Sequence, residues 1–151
     1  MTTAEPKDIK AMASLLAELD AFYGATAVEP LDQRLQQIKE ALFSEVNAGH
    51  ALLAWDGTQL VGLAAYSFLW PAAGLTRSLF LKELYVAQSH QRQGIGKLLM
   101  DSLTTVAVKH GCSRVEWMTE HTNIAAQEFY AAMDAPVDES KVFYRVGLDA
   151  S

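Results

Sequence analysis

A chain of 151 residues has the length of one ordinary domain and can bury a substantial core. Half of it is hydrophobic and a fifth charged, which excludes a disordered chain. The formal charge of −6 argues against a nucleic-acid binder, which presents a basic face, and is compatible with a cationic substrate.

The longest apolar stretch, residues 60–71, is too short to cross a bilayer and carries Tyr66 and Ser67, so no membrane association is expected. Residues 1–10 hold Glu5 and Asp8 without an apolar segment, unlike a secretory signal. A lone Cys112 permits no internal disulfide, and the cytoplasm is the expected location. His50, His90, His110 and His121 share no metal-ligand spacing with Cys112, and no metal is expected.

In chain order, Ile9, Met12, Leu15, Leu16, Leu19 and Phe22 recur at helical spacing and predict a first helix over 6–23, stopped by Gly24. A second helix follows Pro30, with Leu31, Leu35, Ile38, Leu42 and Val46 on one face and Asn47 and Gly49 ending it. The period then changes. Residues 51–55 read as a strand, Asp56-Gly57 as a hairpin turn, and 59–70 as a longer strand. A turn over 71–74 leads to a third strand over 77–86. A helix over 96–110 follows, with Leu98, Leu99, Leu103 and Val106 as its apolar positions. A strand over 114–119, a short helix over 123–133 and a last strand over 142–146 complete the pattern. This order predicts a mixed α/β (α+β) layer architecture in a single domain, 1–151, rather than a regular βαβ repeat.

The most informative stretch is residues 81–97, where a strand ending Leu84-Tyr85-Val86 runs into Gln91-Arg92-Gln93-Gly94-Ile95-Gly96-Lys97 at a helix start. A tight glycine-bearing turn there presents several backbone N–H groups to one point, which together with the helix dipole suits a phosphate. Gly94 and Gly96 allow close approach of an anion or unusual backbone angles, and Arg92 and Lys97 can add positive charge. A Walker A loop fails, because Leu98 follows Gly96-Lys97 and residue 91 is Gln. A Rossmann fingerprint needs a third glycine where Leu99 stands, and the preceding strands form a meander; Glu116 alone sits at a tolerable distance. A bare Gly-x-Gly turn without a ligand is common, but the full segment is far more specific.

That segment closely resembles motif A of the GNAT acetyltransferase superfamily, with Gln91, Gly94 and Gly96 at its fixed positions. The resemblance runs from the first helix to the last strand and is strongest over 79–133. In 66–68 and 79–86 the chain looks most like the diamine and spermidine/spermine acetyltransferase branch. The resemblance implies a mostly antiparallel, twisted mixed sheet flanked by about four helices. It further implies acetyl-CoA as cosubstrate, with the backbone of Leu84, Tyr85 and Val86 pairing with its pantetheine arm. Gln91, Arg92, Gln93, Gly94, Ile95, Gly96 and Lys97 would hold its pyrophosphate. A homodimer is likewise implied.

Transfer to an amine needs a base, because an aliphatic amine with a pKa of about 10 is mostly ammonium at neutral pH. Glu83, on the strand meant for the cofactor arm, is the candidate; a solvent-facing or structurally paired glutamate is an equal reading. The polyamine branch carries Glu-Asp where this chain has Lys82-Glu83, so Glu120 or a water chain stay open as bases. Backbone N–H groups at a splayed strand end can stabilise the oxyanion. Residues 123–130 resemble the superfamily's motif B, which makes Tyr130 the acid for the departing sulfur. Asn123 opens that helix either as a cap or as a pantetheine contact. The family's glycine four residues after the tyrosine is Asp134 here, so a different turn is expected.

Cys112 reads as an inert thiol rather than a nucleophile, and His90 as a loop packing residue. Phe22, Tyr23 and Trp70 can line an amine pocket, although helical spacing predicts core burial for Phe22. The expected reaction is direct acetyl transfer to a primary amine of a small molecule. A peptide or protein acceptor, or a CoA-binding sensor without turnover, are the alternatives.

Overall fold

A computed structural model describes residues 1–25 and 29–148. The chain divides into two compact units, 1–118 and 119–151.

The first unit opens with β1 (Thr2–Thr3) and a 3-10 turn at Pro6–Asp8, then α1 (Ile9–Phe22), α2 (Leu31–Phe43), β2 (His50–Asp56) and β3 (Gln59–Leu69). After a second 3-10 turn come β4 (Arg77–Val86), a third turn at Gln88–His90, α3 (Ile95–Lys109) and β5 (Cys112–Trp117). The second unit holds α4 (Ile124–Ala132). The sheet order is β1-β2-β3-β4-β5. Every neighbour is antiparallel except β4 and β5, which run parallel because α3 crosses between them. This is the mixed α/β architecture read from the sequence.

The boundaries differ where side chains compete with the backbone. The first helix becomes α-helical only at Ile9, because the Asp8 carboxylate accepts from Glu5 N–H at 2.9 Å and closes a capping box over the preceding turn. α2 stops at Phe43, short of Asn47. There the Ser44 hydroxyl donates to Glu40 C=O at 2.6 Å, taking a carbonyl that continued helix would use. The hairpin loop is Gly57-Thr58, one residue later than expected, closed by the pair Asp56 and Gln59. β1 is too short to carry a periodic signal.

The sheet buries both faces. On one, Gly62 lets α3 come close: a Cβ there would lie 3.1 Å from both Ile95 and Leu99 side chains. Leu99 and Leu103 of α3 and Leu79 of β4 are fully enclosed, each such burial stabilising by roughly 1.5–3 kcal/mol. Leu98, expected inward, is 56% exposed, while Met100 and Ala107 are buried instead. On the opposite face α1 packs Met12, Leu15 and Leu19. α2 buries no residue fully, contrary to its apolar stripe, and Leu31 and Val46 of that stripe are exposed. An apolar cavity of about 290 Å³ remains between Met12 and Leu16 of α1, Ile38 and Leu42 of α2, and Leu63 and Ala65 of β3.

Residues 142–146, expected as a strand, do not form one. Val142, Phe143, Tyr144 and Val146 are all exposed. An apolar run becomes a strand only when another strand takes its backbone groups, and none does so among the described residues.

Candidate active site

The site begins with a register shift. β3 and β4 pair Ala65 with Glu83 but Tyr66 with Leu81, so Lys82 is an extra residue in β4. One bulged residue switches the side-chain alternation. Glu83 and Tyr85 therefore share the face of Leu63 and Ala65, where α1 packs, whereas Leu81 shares the α3 face with Tyr66.

β4 and β5 pair only as far as Leu81 and Trp117. β4 continues to Val86 without β5 beside it, so the two strands part and leave a notch. Ala87 N–H donates to Val61 C=O at 2.8 Å, which sets the phase of the antiparallel ladder. Counting back, the backbone groups of Tyr85 and Glu83 face β3, and those of Leu84 and Val86 face the notch. The Gln91 amide confirms the direction by donating to Val86 C=O at 3.0 Å. Gln91 thus hooks the loop onto the end of β4.

The loop then turns through Arg92 (φ 62°) and Gly94 (φ 83°), both left-handed. Gly94 is the N-cap of α3, and among the described residues no side-chain hydrogen bond caps that helix. The first intrahelical bond is Leu98 N–H to Gly94 C=O at 3.0 Å. The N–H groups of the preceding first turn, Gly94 to Lys97, therefore have no helical acceptor. A Cβ at Gly94 would meet nothing within 4 Å. Lys97 is engaged with Asp101 at 2.8 Å, one turn on, whereas Arg92, also exposed, makes no ion pair among the described residues. The donor set fits a diphosphate.

Around Glu83 the chemistry is acidic and aromatic. Burial raises its carboxyl pKa; nearby Lys82 opposes that shift and Asp20 of α1 adds to it. Tyr85 donates its hydroxyl to Glu18 at 2.6 Å; burial, then this bond, push its pKa upward. Phe22 lies 6.3 Å from the Tyr85 ring and 5.3 Å from Tyr23. It is 64% exposed, not buried as its helical spacing suggested; α1 ends at this residue. Asp20 also accepts from Arg34 at 2.9 Å. Glu18 and Asp20 lie on a helix whose polar face gives no sequence signal of function.

In the second unit, Asn123 Oδ1 accepts from Ala126 N–H at 3.1 Å, so its capping role is filled. Gln127 donates to the carbonyls of Glu120 and His121 at 3.0 and 2.9 Å, tying the preceding loop to α4. Tyr130 is half-buried and packs edge-on to Phe129 at 5.1 Å. Asp134 takes the left-handed conformation at φ 57°, which Asp tolerates better than most residues. The turn after α4 therefore holds, at Asp134, a left-handed backbone that glycine would favour.

The model of the Acetyltransferase (GNAT) family matches residues 12–134. An L-ornithine N5-acetyltransferase of Arabidopsis thaliana is 32% identical over 81 residues, 54% of this chain and 36% of that protein; the match thus spans about a third of the plant enzyme. A thialysine N-epsilon-acetyltransferase of Bos taurus is 28% identical over 119 residues, covering 71% of this chain and 69% of its own. Among solved structures, an integron cassette protein from the mobile metagenome of V. cholerae superimposes with a TM-score of 0.91 at 26% identity, covering 98% of this chain and 91% of that one.

Proposed function

The chain belongs to the Acetyltransferase (GNAT) family, and from that premise we propose that it transfers acetyl from acetyl-CoA to a primary amine of a small molecule by direct attack in a ternary complex. The observation that carries this reading is the uncapped first turn of α3 beside the notch between β4 and β5.

In this reading the N–H groups of Gly94, Ile95, Gly96 and Lys97 grip the pyrophosphate, assisted by Arg92. Gln91 and Gln93 shape the loop. Leu84 and Val86 offer backbone groups to the pantetheine arm, while the Tyr85 backbone is already paired with β3, so its ring is what faces the site. Asn123 keeps its side-chain N–H₂ for a pantetheine oxygen. Acetyl-CoA supplies the activated acyl group when bound. Glu83 takes a proton from the acceptor ammonium, its raised pKa bringing it nearer to the working pH. Backbone N–H groups past the last β4–β5 pair stabilise the oxyanion. Tyr130 returns a proton to the leaving sulfur.

A small amine is favoured by the carboxylates of Asp20 and Glu83 beside Phe22 and Tyr23, which suit an alkylammonium, and by the ornithine and thialysine named in its relatives. We read 1–151 as one such domain because the family match crosses from one unit into the other. We also expect a cytoplasmic homodimer, which a monomeric mass in sedimentation would refute.

The test is CoA thiol release at saturating acetyl-CoA with diamines, amino acids, aminoglycosides and peptides. Acetylation of small amines is expected. Acetyl-CoA binding without release would favour a sensor, and release with peptides alone a protein acceptor. Gly94→Trp should abolish cofactor binding in a folded chain; unchanged affinity would remove the cradle.

A further inference from the structure

We infer that Asp56, at the end of β2, is a positioning residue for acetyl-CoA, acting through His90 to latch the turn that feeds the phosphate cradle. The inference rests on the cofactor reading above.

The His90 ring is bonded on both sides. Its Nε2 lies 2.8 Å from Asp56 Oδ2 and its Nδ1 lies 2.7 Å from Ser89 Oγ. A carboxylate only accepts, so Nε2 carries a proton and the neutral ring accepts at Nδ1 from the Ser89 hydroxyl. A charged ring would donate to the same oxygen. Both contacts survive in either state.

These bonds act on one short turn. His90 N–H donates to Ala87 C=O at 2.8 Å, so moving the ring moves the turn. At its other end Gln88 N–H donates to Glu18 of α1 at 3.1 Å. The turn over 88–90 is thus held by α1 on one side and by the β2–β3 hairpin on the other. The latch borders a cleft of about 310 Å³ lined also by Trp55, Gln93 and Ile95, so packing does not replace it.

Geometry makes the latch matter for the cofactor. Immediately after it, Arg92 stands at φ 62°, a conformation disfavoured for L-residues. Such a loop must be held from its flanks. The far flank is α3, packed through Ile95 and Leu99 against Gly62. The near flank is Gln91's hook and the His90 latch. Asp56 is 68% exposed, and an exposed ion pair adds little to global stability. Its loss should instead appear as the cost of ordering the cradle when the ligand binds.

The test uses the full chain. Asp56→Ala and His90→Ala should each raise the Kd and KM for acetyl-CoA by about tenfold, with kcat at saturation and Tm close to wild type. His90→Gln, whose amide N–H reaches the same carboxylate, should recover most of the affinity. The double variant should be no worse than either single. Unchanged Kd in both singles, additive losses, or a fall in kcat or Tm without a change in KM would overturn the latch while leaving the cofactor reading intact. A wild-type protein that fails to bind acetyl-CoA would take down both.

Discussion

Glu83 and Tyr85 stand two residues apart on one face of β4, and burial raises the pKa of each. Their partners then separate their roles. Tyr85 is kept protonated by donating to Glu18, whereas Glu83 is balanced between Lys82 and Asp20 and can cycle its proton. A carboxyl whose folded pKa lies above its unfolded value, here near 4.5, adds stability below that value and loses it as pH rises through the folded pKa. Glu83→Gln should therefore have a Tm advantage over wild type at neutral pH that shrinks in acid. The same variant should lose the acid limb of the kcat/KM profile. An unaltered profile would move the base to Glu120 or to a water chain.

At the scale of elements, the decisive contact is α3 against β3. Glycine inside a strand marks close backbone approach, and Gly62 is hemmed in by Ile95, Leu99 and Ala54, the last at 3.3 Å. Gly62→Val would push α3 outward and carry the first-turn N–H donors with it. A loss of about 1–3 kcal/mol in denaturant unfolding is expected, as for overpacking generally, together with weaker acetyl-CoA binding. Full stability and full affinity in that variant would show that the α3 contact does not set the loop. α2 is the contrasting case. Its apolar stripe is visible in the sequence, yet the helix stands over a cavity and encloses none of its own residues.

For the whole molecule, the proposed roles divide between the two compact units. The first carries the phosphate turn, the notch and Glu83; the second carries Asn123 and Tyr130. Cofactor affinity should therefore be set mainly by the first unit, and sulfur protonation by the second. Tyr130→Phe should lower kcat by about 10²-fold, a typical loss for a general acid, with KM for acetyl-CoA within about twofold of wild type. A raised KM with kcat unchanged would assign Tyr130 to binding instead.

What the sequence determined by itself was local. Helical and strand periods placed α1, β3, β4, α3 and α4 within a few residues, because each period reflects the face that one element buries. The segment proposed as the anion cradle could be picked out because Gln91, Gly94 and Gly96 lie within six consecutive residues at a helix start. Tertiary structure decided whatever depends on partners distant in the chain. The extra residue at Lys82 that turns Glu83 toward α1 depends on pairing with β3. The His90 latch joins residues 34 apart in sequence, and the Glu18 contact with Gln88 residues 70 apart. Phe22 and residues 142–146 show the same limit from the other side: an apolar side chain is buried only where another surface covers it, and the chain's own period does not say whether one will.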